Sequence, residues 1–315
     1  MNNDLLQLKQ EMQRLSETYF TAKPLAEYAS AFIEHKHAEP LRFGMLSVLH
    51  YRMFGGKDEL IYKAAASVEL FILASDIIDD LQDQDSPHQP WSRAPLPVSL
   101  QLAAALMSLS QQALLDCGTD SLAVLRTADM MNRQWLQSAN GQMTDIMNLV
   151  NEESDYLDVV RQKSAALLVM ACMTGVMLTG RDWHPGVADY ALELGMAAQI
   201  ENDRRDLVRR DDKNDFAQRK KTALTLYLLE DLSEHHGWIG DYFAGRLSIQ
   251  ELDDRFEEFA RICEESGALL YGSALFNLHF NRFQELLREV PEAAASADEI
   301  MRIVSGNLEN SGIPQ

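Results

Sequence analysis

The chain has 315 residues, a formal net charge of −20 and three cysteines. An acidic surface of this kind repels a nucleic-acid backbone, so we exclude nucleic acid as the partner. The number of cysteines is odd, and the segment Met1–Phe20 is polar where a secretion signal would carry an apolar core. Both observations indicate a reduced, cytoplasmic location.

Helix-forming residues dominate the composition, while glycine and proline number only 16 and 9. The sequence therefore predicts an all-α protein, with a single domain over residues 1–315 and a frayed tail at 305–315. Residues 84–97 carry four of the nine prolines and are predicted to be an irregular loop at the mouth of the functional site. Periodicity predicts helices, in chain order, at 3–20, 24–35, 40–54, 58–83, 97–116, 121–137, 155–179, 185–210 and 221–232, then further helices to about residue 303.

The uncharged, mostly apolar run Ser164–Gly180 has 17 residues and includes two glycines. A membrane-spanning helix needs about 20 predominantly apolar residues. We therefore interpret this run as a buried helix and expect no transmembrane segment. Peripheral contact with a membrane is the alternative to a purely cytoplasmic location.

An acidic motif, Asp79-Asp80-x-x-Asp83, ends the predicted helix 58–83. With a step of about 100° per residue, these three side chains and Asp76 fall within an arc of about 100°, apart from the apolar face of the helix. A buried carboxylate usually faces a cation, so the motif predicts part of a metal site. A solvated helix face is the alternative interpretation of one such motif.

A second polar motif, Asn202-Asp203-x-x-Asp206, lies near the end of the predicted helix 185–210. The same projection groups its side chains with Gln199. If the two helices face each other, oxygen-bearing side chains converge on one cavity. Oxygen ligands without a paired histidine or thiolate favour Mg²⁺, with Mn²⁺ as the alternative. Because Mg²⁺ is commonly shared with a substrate phosphate, the predicted ligand is a diphosphate.

A basic segment, Arg204–Lys221, follows the second motif and holds eight basic residues against four acidic ones. A solvated run of charges is one interpretation of this segment, and a surface for phosphate is the other. Its position directly after the acidic motif makes it a candidate for phosphate binding.

Five motifs occur in an order that resembles the trans-isoprenyl diphosphate synthases. The resemblance covers about residues 42–229. In order, the motifs are Ala64-Ala65-Ala66-Ser67-Val68-Glu69 leading to Asp79-Asp80-x-x-Asp83; Gly141-Gln142-x-x-Asp145; Tyr156 followed by Lys163-Ser164; Gly195-x-x-x-Gln199-Ile200-x-Asn202-Asp203-x-x-Asp206; and Lys220-Lys221-Thr222.

This resemblance implies a single large helical bundle of the isoprenoid synthase type, with a central active-site cavity, and a homodimer. An allylic isoprenyl diphosphate is the implied substrate, and Gln199 would steady the allylic carbocation. The implied magnesium ligands are Asp79, Asp83, Asn202, Asp203 and Asp206. The implied catalytic residues are Asp79, Asp80, Asp83, Gln199 and Lys163. The implied diphosphate contacts are Lys163, Lys220, Lys221 and Arg42.

The sequence departs from chain-elongating members of the family where they bind a second diphosphate. Glu39 stands where they carry a lysine, and Arg42 matches the arginine that follows this lysine in the same segment. His88 and Gln89 stand where they carry an arginine pair. Losing this positive charge weakens the binding of a second diphosphate. The pattern resembles the ComQ-type isoprenyl transferases, which modify a tryptophan of a peptide pheromone precursor.

Three functions are consistent with this pattern. The leading hypothesis is Mg²⁺-dependent transfer of a farnesyl- or geranyl-type group from its diphosphate to a tryptophan of a peptide pheromone precursor in quorum sensing. The alternatives are a chain-elongating synthase of the farnesyl or geranylgeranyl diphosphate type and a non-catalytic helical partner subunit. Ala74, five positions before Asp79, replaces a bulky aromatic of the family and suggests room for a farnesyl or longer chain.

Overall fold

The computed structural model describes residues 2–84, 86–118, 120–210, 215–230 and 237–304. Throughout these residues every regular element is helical, which confirms the all-α prediction. The predicted tail at 305–315 and the end of the predicted helix 221–232 lie outside the described residues. The helices are α1 (Asn2–Tyr19), α2 (Lys23–Lys36), α3 (Arg42–Met53), α4 (Ile61–Asp83), α5 (Pro90–Arg93), α6 (Leu96–Leu115), α7 (Ser121–Ile146), α8 (Glu153–Val160), a π-helical turn (Arg161–Ala165), α9 (Ala166–Met177), α10 (Pro185–Asp206), α11 (Ala223–Glu230), α12 (Gly237–Phe243), α13 (Ile249–Asp253), α14 (Phe256–Glu265), α15 (Ala268–Glu289), α16 (Pro291–Ala294) and α17 (Ala297–Val304).

Two helices differ from their predicted bounds in ways that affect the site. Helix α7 was predicted to end at residue 137, yet it continues to Ile146. The sequence Asn140-Gly141 looks like a turn signal, but Gly141 lies inside the helix. The predicted helix 155–179 is interrupted by the π-helical turn Arg161–Ala165, which local periodicity does not reveal.

The described residues pack as two compact units. The first unit comprises Met1–Leu136, Leu167–Ala191 and Glu285–Gln315, and the second comprises Gln137–Ala166 and Leu192–Gln284. Their boundaries fall inside continuous helices, namely α7, α9, α10 and α15. The single-domain organisation over the whole chain stays a prediction.

Helix α4 forms the core of the first unit, where α1, α3 and α6 pack against it. The small residues Ala64, Ala65 and Ala66 are fully buried and let neighbouring backbones approach. Glu69 is also fully buried, and its Oε1 accepts a hydrogen bond of 2.7 Å from the backbone N–H of Gly44 on α3. This packing fixes the path of α4 towards its acidic C-terminal end.

The second unit has an aromatic core around Phe216, which is fully buried. Its ring stacks on Phe259 with centroids 4.3 Å apart and on Tyr242 at 5.3 Å. Leu224 of α11 and Ile239 of α12 complete this cluster. The core lies directly beneath the chain segment that follows the second acidic motif.

Two stretches of helix are long and apolar enough to cross a membrane by length and composition alone, namely Leu96–Leu115 and Glu153–Met177. Within the second stretch, two thirds of the most apolar window is buried (67%), and Met170 and Met173 are fully buried. Core helices of ordinary globular proteins pass the same test. The predicted buried helix over residues 164–180 is therefore consistent with the packing observed in Ala166–Met177.

Candidate active site

The first acidic motif lies on the last turns of α4, in the first unit. Asp79, Asp80 and Asp83 are each half-buried. The helix ends at Asp83 because the next residue, Gln84, adopts a left-handed conformation with φ 57°. The three carboxylates therefore lie at a helix end, beside the loop that was predicted at residues 84–97.

Asp80 holds this loop against the helix. Its Oδ2 accepts a hydrogen bond of 2.7 Å from the indole Nε1 of Trp91, and its Oδ1 accepts one of 2.7 Å from Ser86 Oγ. Trp91 is only 2% exposed and packs edge-on against Phe32 of α2. The structure thus gives Asp80 a role in loop anchoring, and its predicted part in catalysis stays a prediction.

An ion cluster forms around the buried Lys36 and includes Glu39, the residue at which the resemblance predicts a lysine in chain-elongating synthases. The ammonium of Lys36, whose side chain is 5% exposed, lies 2.6 Å from Glu39 Oε2 and 2.9 Å from Asp76 Oδ2. Buried Glu69 adds a further negative charge near Lys36, and burial raises the pKa of Glu69 to about 7. The positive charge of Lys36 is therefore balanced by carboxylates of the protein itself.

Arg42, the surviving basic residue of this region, begins α3 and is half-buried. Its Nε donates a hydrogen bond of 3.2 Å to the backbone carbonyl of Ile303. Burial lowers the pKa of its guanidinium, while Glu39 and Glu69 oppose this shift. The predicted diphosphate contact of Arg42 stays a prediction.

In the second unit, hydrogen bonds connect residues from two separate motifs. Ser164 Oγ donates to the amide oxygen of Gln199 at 2.8 Å, and the amide nitrogen of Gln199 donates to Asp203 Oδ1 at 2.7 Å. Tyr156 OH donates to the other oxygen, Asp203 Oδ2, at 2.6 Å. Each oxygen of this buried carboxyl thus accepts a hydrogen bond, and the Gln199 side chain is held in one orientation.

The π-helical turn places Lys163 beside Asp145. The ammonium of Lys163 lies 2.7 Å from Asp145 Oδ2, and Ser138 Oγ donates to the backbone carbonyl of Lys163 at 2.9 Å. Glycine is required at position 141, because a Cβ there would lie only 2.7 Å from the backbone nitrogen of Lys163. A Cβ at Gly195 would lie 2.5 Å from the Cα of Ala165. Both glycines therefore permit the close helix packing on which the turn depends.

The second acidic motif forms part of a larger group of carboxylates. The pKa of Asp203 is raised to about 6, chiefly by burial and secondly by the negative charges of Asp206 and Asp145, while hydrogen bonds from Tyr156 and Gln199 oppose this rise. Burial also raises the pKa of Asp215 well above its usual value, and the charge of Asp203 adds to the shift. Asp215 was missed by the sequence analysis, because it lies nine residues beyond the motif in a basic segment.

The remaining predicted residues of this unit line the same region. Asn202 Oδ1 accepts a hydrogen bond from Arg205, and Asp206 Oδ1 accepts one of 3.0 Å from Arg209. Lys221 Nζ donates to the backbone carbonyl of Asn148 at 3.2 Å. Arg205 and Arg209 thus pair with the motif itself, and phosphate binding by the basic segment stays a prediction.

The donor set suits a hard divalent cation. Carboxylate and amide oxygens are the ligands that magnesium prefers. Two carboxyl groups here, Asp203 and Asp215, have raised pKa values, chiefly because they are buried and secondly because negative charges lie close to them. Among the described residues, no three His, Cys, Asp or Glu side chains converge closely enough to form a complete metal cage. Magnesium usually takes one or two carboxylates, with water and substrate phosphate completing its shell. The residues present therefore fit this cation.

The two predicted acidic motifs lie in different compact units: Asp79, Asp80 and Asp83 in the first, and Asn202, Asp203 and Asp206 in the second. The structure confirms that each motif lies at or near the C-terminal end of a helix. Their convergence on one central cavity stays a prediction, as do the individual roles of their side chains.

The sequence model of the polyprenyl synthetase family matches residues 40–241, which include both acidic motifs and the lysine segment. The chain belongs to the polyprenyl synthetase family. It is 28% identical to the tryptophan prenyltransferase ComQ of Bacillus spizizenii, covering 81% of this chain and 89% of that protein. It is also 28% identical to the geranylgeranyl diphosphate synthase of Sulfolobus acidocaldarius, covering 56% of this chain and 59% of that one.

A solved structure shares the fold of this prenyltransferase. The polyprenyl synthase from Caulobacter crescentus CB15, complexed with calcium and isoprenyl diphosphate, superimposes with a TM-score of 0.78 at 19% identity. The superposition covers 96% of this chain and 94% of that chain. This superposition confirms the predicted isoprenoid synthase fold. The family match and the similarity to ComQ confirm the predicted prenyltransferase activity.

Proposed function

We propose that this prenyltransferase moves a farnesyl- or geranyl-type group from its diphosphate to a tryptophan of a peptide pheromone precursor, with Mg²⁺ as the cofactor. The donor half of this reaction is supported by the carboxylates and lysines of the second unit. The peptide acceptor is supported by the tryptophan prenyltransferase ComQ, because the similarity to that protein extends over 81% of this chain. A cytoplasmic location is part of the same proposal.

The proposed identity of the acceptor rests on the ion cluster of Lys36, Glu39 and Asp76. A second diphosphate needs cations whose charge is not already balanced. Here the Lys36 ammonium lies within 3 Å of two carboxylates, at 2.6 Å and 2.9 Å. A neutral nucleophile such as an indole ring needs no such cations. The cluster therefore favours an aromatic acceptor over isopentenyl diphosphate.

In the proposed reaction, the bond between the allylic carbon and the diphosphate oxygen breaks, and its electron pair leaves with the diphosphate. Bound Mg²⁺ would stabilise the negative charge that develops on this leaving group. Lys163 and Lys220 would contact the same group. Gln199, held by Ser164 and Asp203, presents a fixed amide dipole to the allylic cation. The indole ring then forms the new carbon–carbon bond, and loss of one proton completes the transfer.

The test uses purified protein, Mg²⁺, and farnesyl or geranyl diphosphate with a tryptophan-containing precursor peptide encoded beside this chain. We expect mass spectrometry to show one added prenyl group on the tryptophan. The same peptide with phenylalanine at that position is the matched control and should stay unmodified. Chelation of the metal should stop the reaction, and added Mg²⁺ should restore it. Absence of modification with every allylic donor would refute the proposal.

Chain elongation is the second candidate function, favoured by the similarity to a geranylgeranyl diphosphate synthase. It predicts that an allylic diphosphate and isopentenyl diphosphate react without any peptide. The variant Glu39→Lys tests the physical argument, because it removes one carboxylate from Lys36 and adds a cation. We expect this variant to bind isopentenyl diphosphate about tenfold more tightly. Glu27→Lys, which changes an exposed residue that pairs with Lys23, is the control.

A homodimer is also part of the proposal. In the first unit, helix α6 exposes Leu96 and Leu100 by 55% and 50%, and α7 exposes Leu122 and Leu125 by 57% and 59%. Exposed apolar side chains on these two helices support a surface that another protein covers. We propose that a second copy of this chain covers it. Sedimentation analysis should show a dimer that dissociates when Leu125 is replaced by glutamate.

A further inference from the structure

The segment between Asp215 and Thr222, which we call the lysine turn, carries Lys220 and Lys221, two of the lysines predicted to contact diphosphate. It contains Arg219, whose φ of 57° lies in the left-handed region. A non-glycine residue in this region costs roughly 1 kcal/mol and persists only where surrounding contacts hold it. The contacts of Arg219 therefore bear on how the turn is held.

The Arg219 side chain binds the turn to the aromatic core of the second unit. Its Nε donates to the backbone carbonyl of Tyr242 at 2.8 Å, and its Nη2 donates to the carbonyl of Leu247 at 2.9 Å. The guanidinium also lies over the Tyr242 ring, 4.6 Å from its centroid. In return, Tyr242 OH donates to the carbonyl of Ala217 within the turn at 2.6 Å. These contacts fix the backbone immediately before Lys220.

Hydrogen bonds hold the backbone of Lys220 on both sides, one from within the lysine turn and one from α11. Its backbone N–H donates to the carbonyl of Asp215 at 2.9 Å, and its own carbonyl accepts a hydrogen bond of 2.9 Å from Thr225 Oγ1. Electrostatically, the Lys220 charge lowers the pKa of the Asp215 carboxyl, which places this ammonium close to the acidic group. The direction of Lys220 therefore depends on the conformation at Arg219.

We propose that Arg219 is a positioning residue, which fixes the lysine turn through the carbonyls of Tyr242 and Leu247 and so aims Lys220 at the diphosphate of the substrate. This inference rests on the proposed function, because it assumes that Lys220 contacts diphosphate. It assigns Arg219 no contact with substrate. The residue acts only through the backbone that it holds.

The test is a double-mutant cycle with Arg219→Asn and Lys220→Ala. Asparagine tolerates the left-handed conformation but cannot reach the two carbonyls. The quantity measured is the dissociation constant of inorganic diphosphate in the presence of Mg²⁺, by titration calorimetry. We expect each single variant to weaken binding about tenfold, as for loss of one charge-assisted contact. The double variant should also lose about tenfold, since Arg219 acts through Lys220.

The control is Arg246→Asn, which removes an exposed arginine of the same region that pairs with Asp241. It should bind diphosphate as the wild type does. Additive losses, about a hundredfold in the double variant, or wild-type binding by Arg219→Asn, would overturn the proposal. If Arg219→Asn fails to fold, Arg219→Lys is measured in the same cycle, with the same two refuting outcomes. The assay uses neither peptide nor prenyl group. Its result therefore does not depend on whether the protein transfers a prenyl group to tryptophan.

Discussion

Replacing Tyr156 by phenylalanine should make the activity of this prenyltransferase more sensitive to acid. The change removes one hydroxyl and leaves the buried ring in place. In the wild type, that hydroxyl donates a hydrogen bond of 2.6 Å to Asp203 Oδ2. The bond favours the ionised carboxylate, which is the form that can bind a metal ion. Without it, Asp203 should hold its proton to a higher pH.

The expected size follows from the surroundings of Asp203. Its pKa is already raised to about 6 by burial, so about nine tenths of the carboxyl is ionised at pH 7. A lost hydrogen bond of about 1.4 kcal/mol raises this pKa by about one further unit. The ionised fraction then falls about twofold at pH 7 and about fivefold at pH 6, and it is nearly unchanged above about pH 8.5.

The assay compares kcat/KM for the allylic diphosphate from pH 6 to pH 9 at a subsaturating concentration of Mg²⁺. We expect the acidic limb of the profile to move up by about one pH unit in Tyr156→Phe. Tyr62→Phe is the matched control, since Tyr62 OH donates an equivalent bond of 2.7 Å to Asp4, outside the acidic motifs. A profile of Tyr156→Phe that superimposes on the wild type would refute the reasoning.

Three further predictions concern stability. Gly195→Ala should lower the free energy of unfolding by about 1–3 kcal/mol in urea titrations, because the new Cβ would lie 2.5 Å from the Cα of Ala165. In the wild-type protein, burial raises the pKa of Glu69 to about 7, so the folded state binds this proton more tightly than the unfolded state does. The free energy of unfolding should therefore fall by about 3 kcal/mol as the pH rises from about 4.5 to above 7. Glu69→Gln should remove this pH dependence, as measured by urea unfolding at pH 5 and pH 8. Trp91→Phe should cost about 1.5–3 kcal/mol of unfolding free energy, because Asp80 loses the indole donor at 2.7 Å.

The hydrogen bonds of Asp80 show where sequence patterns stop being informative. Spacing along α4 correctly predicted that Asp79, Asp80 and Asp83 lie on one helix end. It could not show that Asp80 is held by Trp91, which lies eleven residues away on a separate short helix. Whether an acidic side chain faces a metal, a solvent or a neighbouring loop depends on contacts outside its own helix.

The second unit gives the same lesson in a different form. The sequence predicted that Tyr156, Lys163 and Gln199 belong to one site, because their motifs occur in the family's order. The structure shows bonds from Tyr156 and Gln199 to Asp203 and adds Asp215 as a third acidic neighbour of Asp203, beside Asp145 and Asp206. No spacing rule identifies Asp215, since it follows the motif in an irregular segment.

By itself, the sequence determined the helical class, the family and the position of both acidic motifs, because periodicity and motif spacing are local properties of the chain. Tertiary structure alone decided that Lys36 is balanced by Glu39 and Asp76, that a π-helical turn presents Lys163, and that Arg219 holds the lysine turn. These features join residues between 3 and 40 positions apart. Long-range packing decides which conformation these residues adopt, and such packing leaves no periodic signal in the sequence.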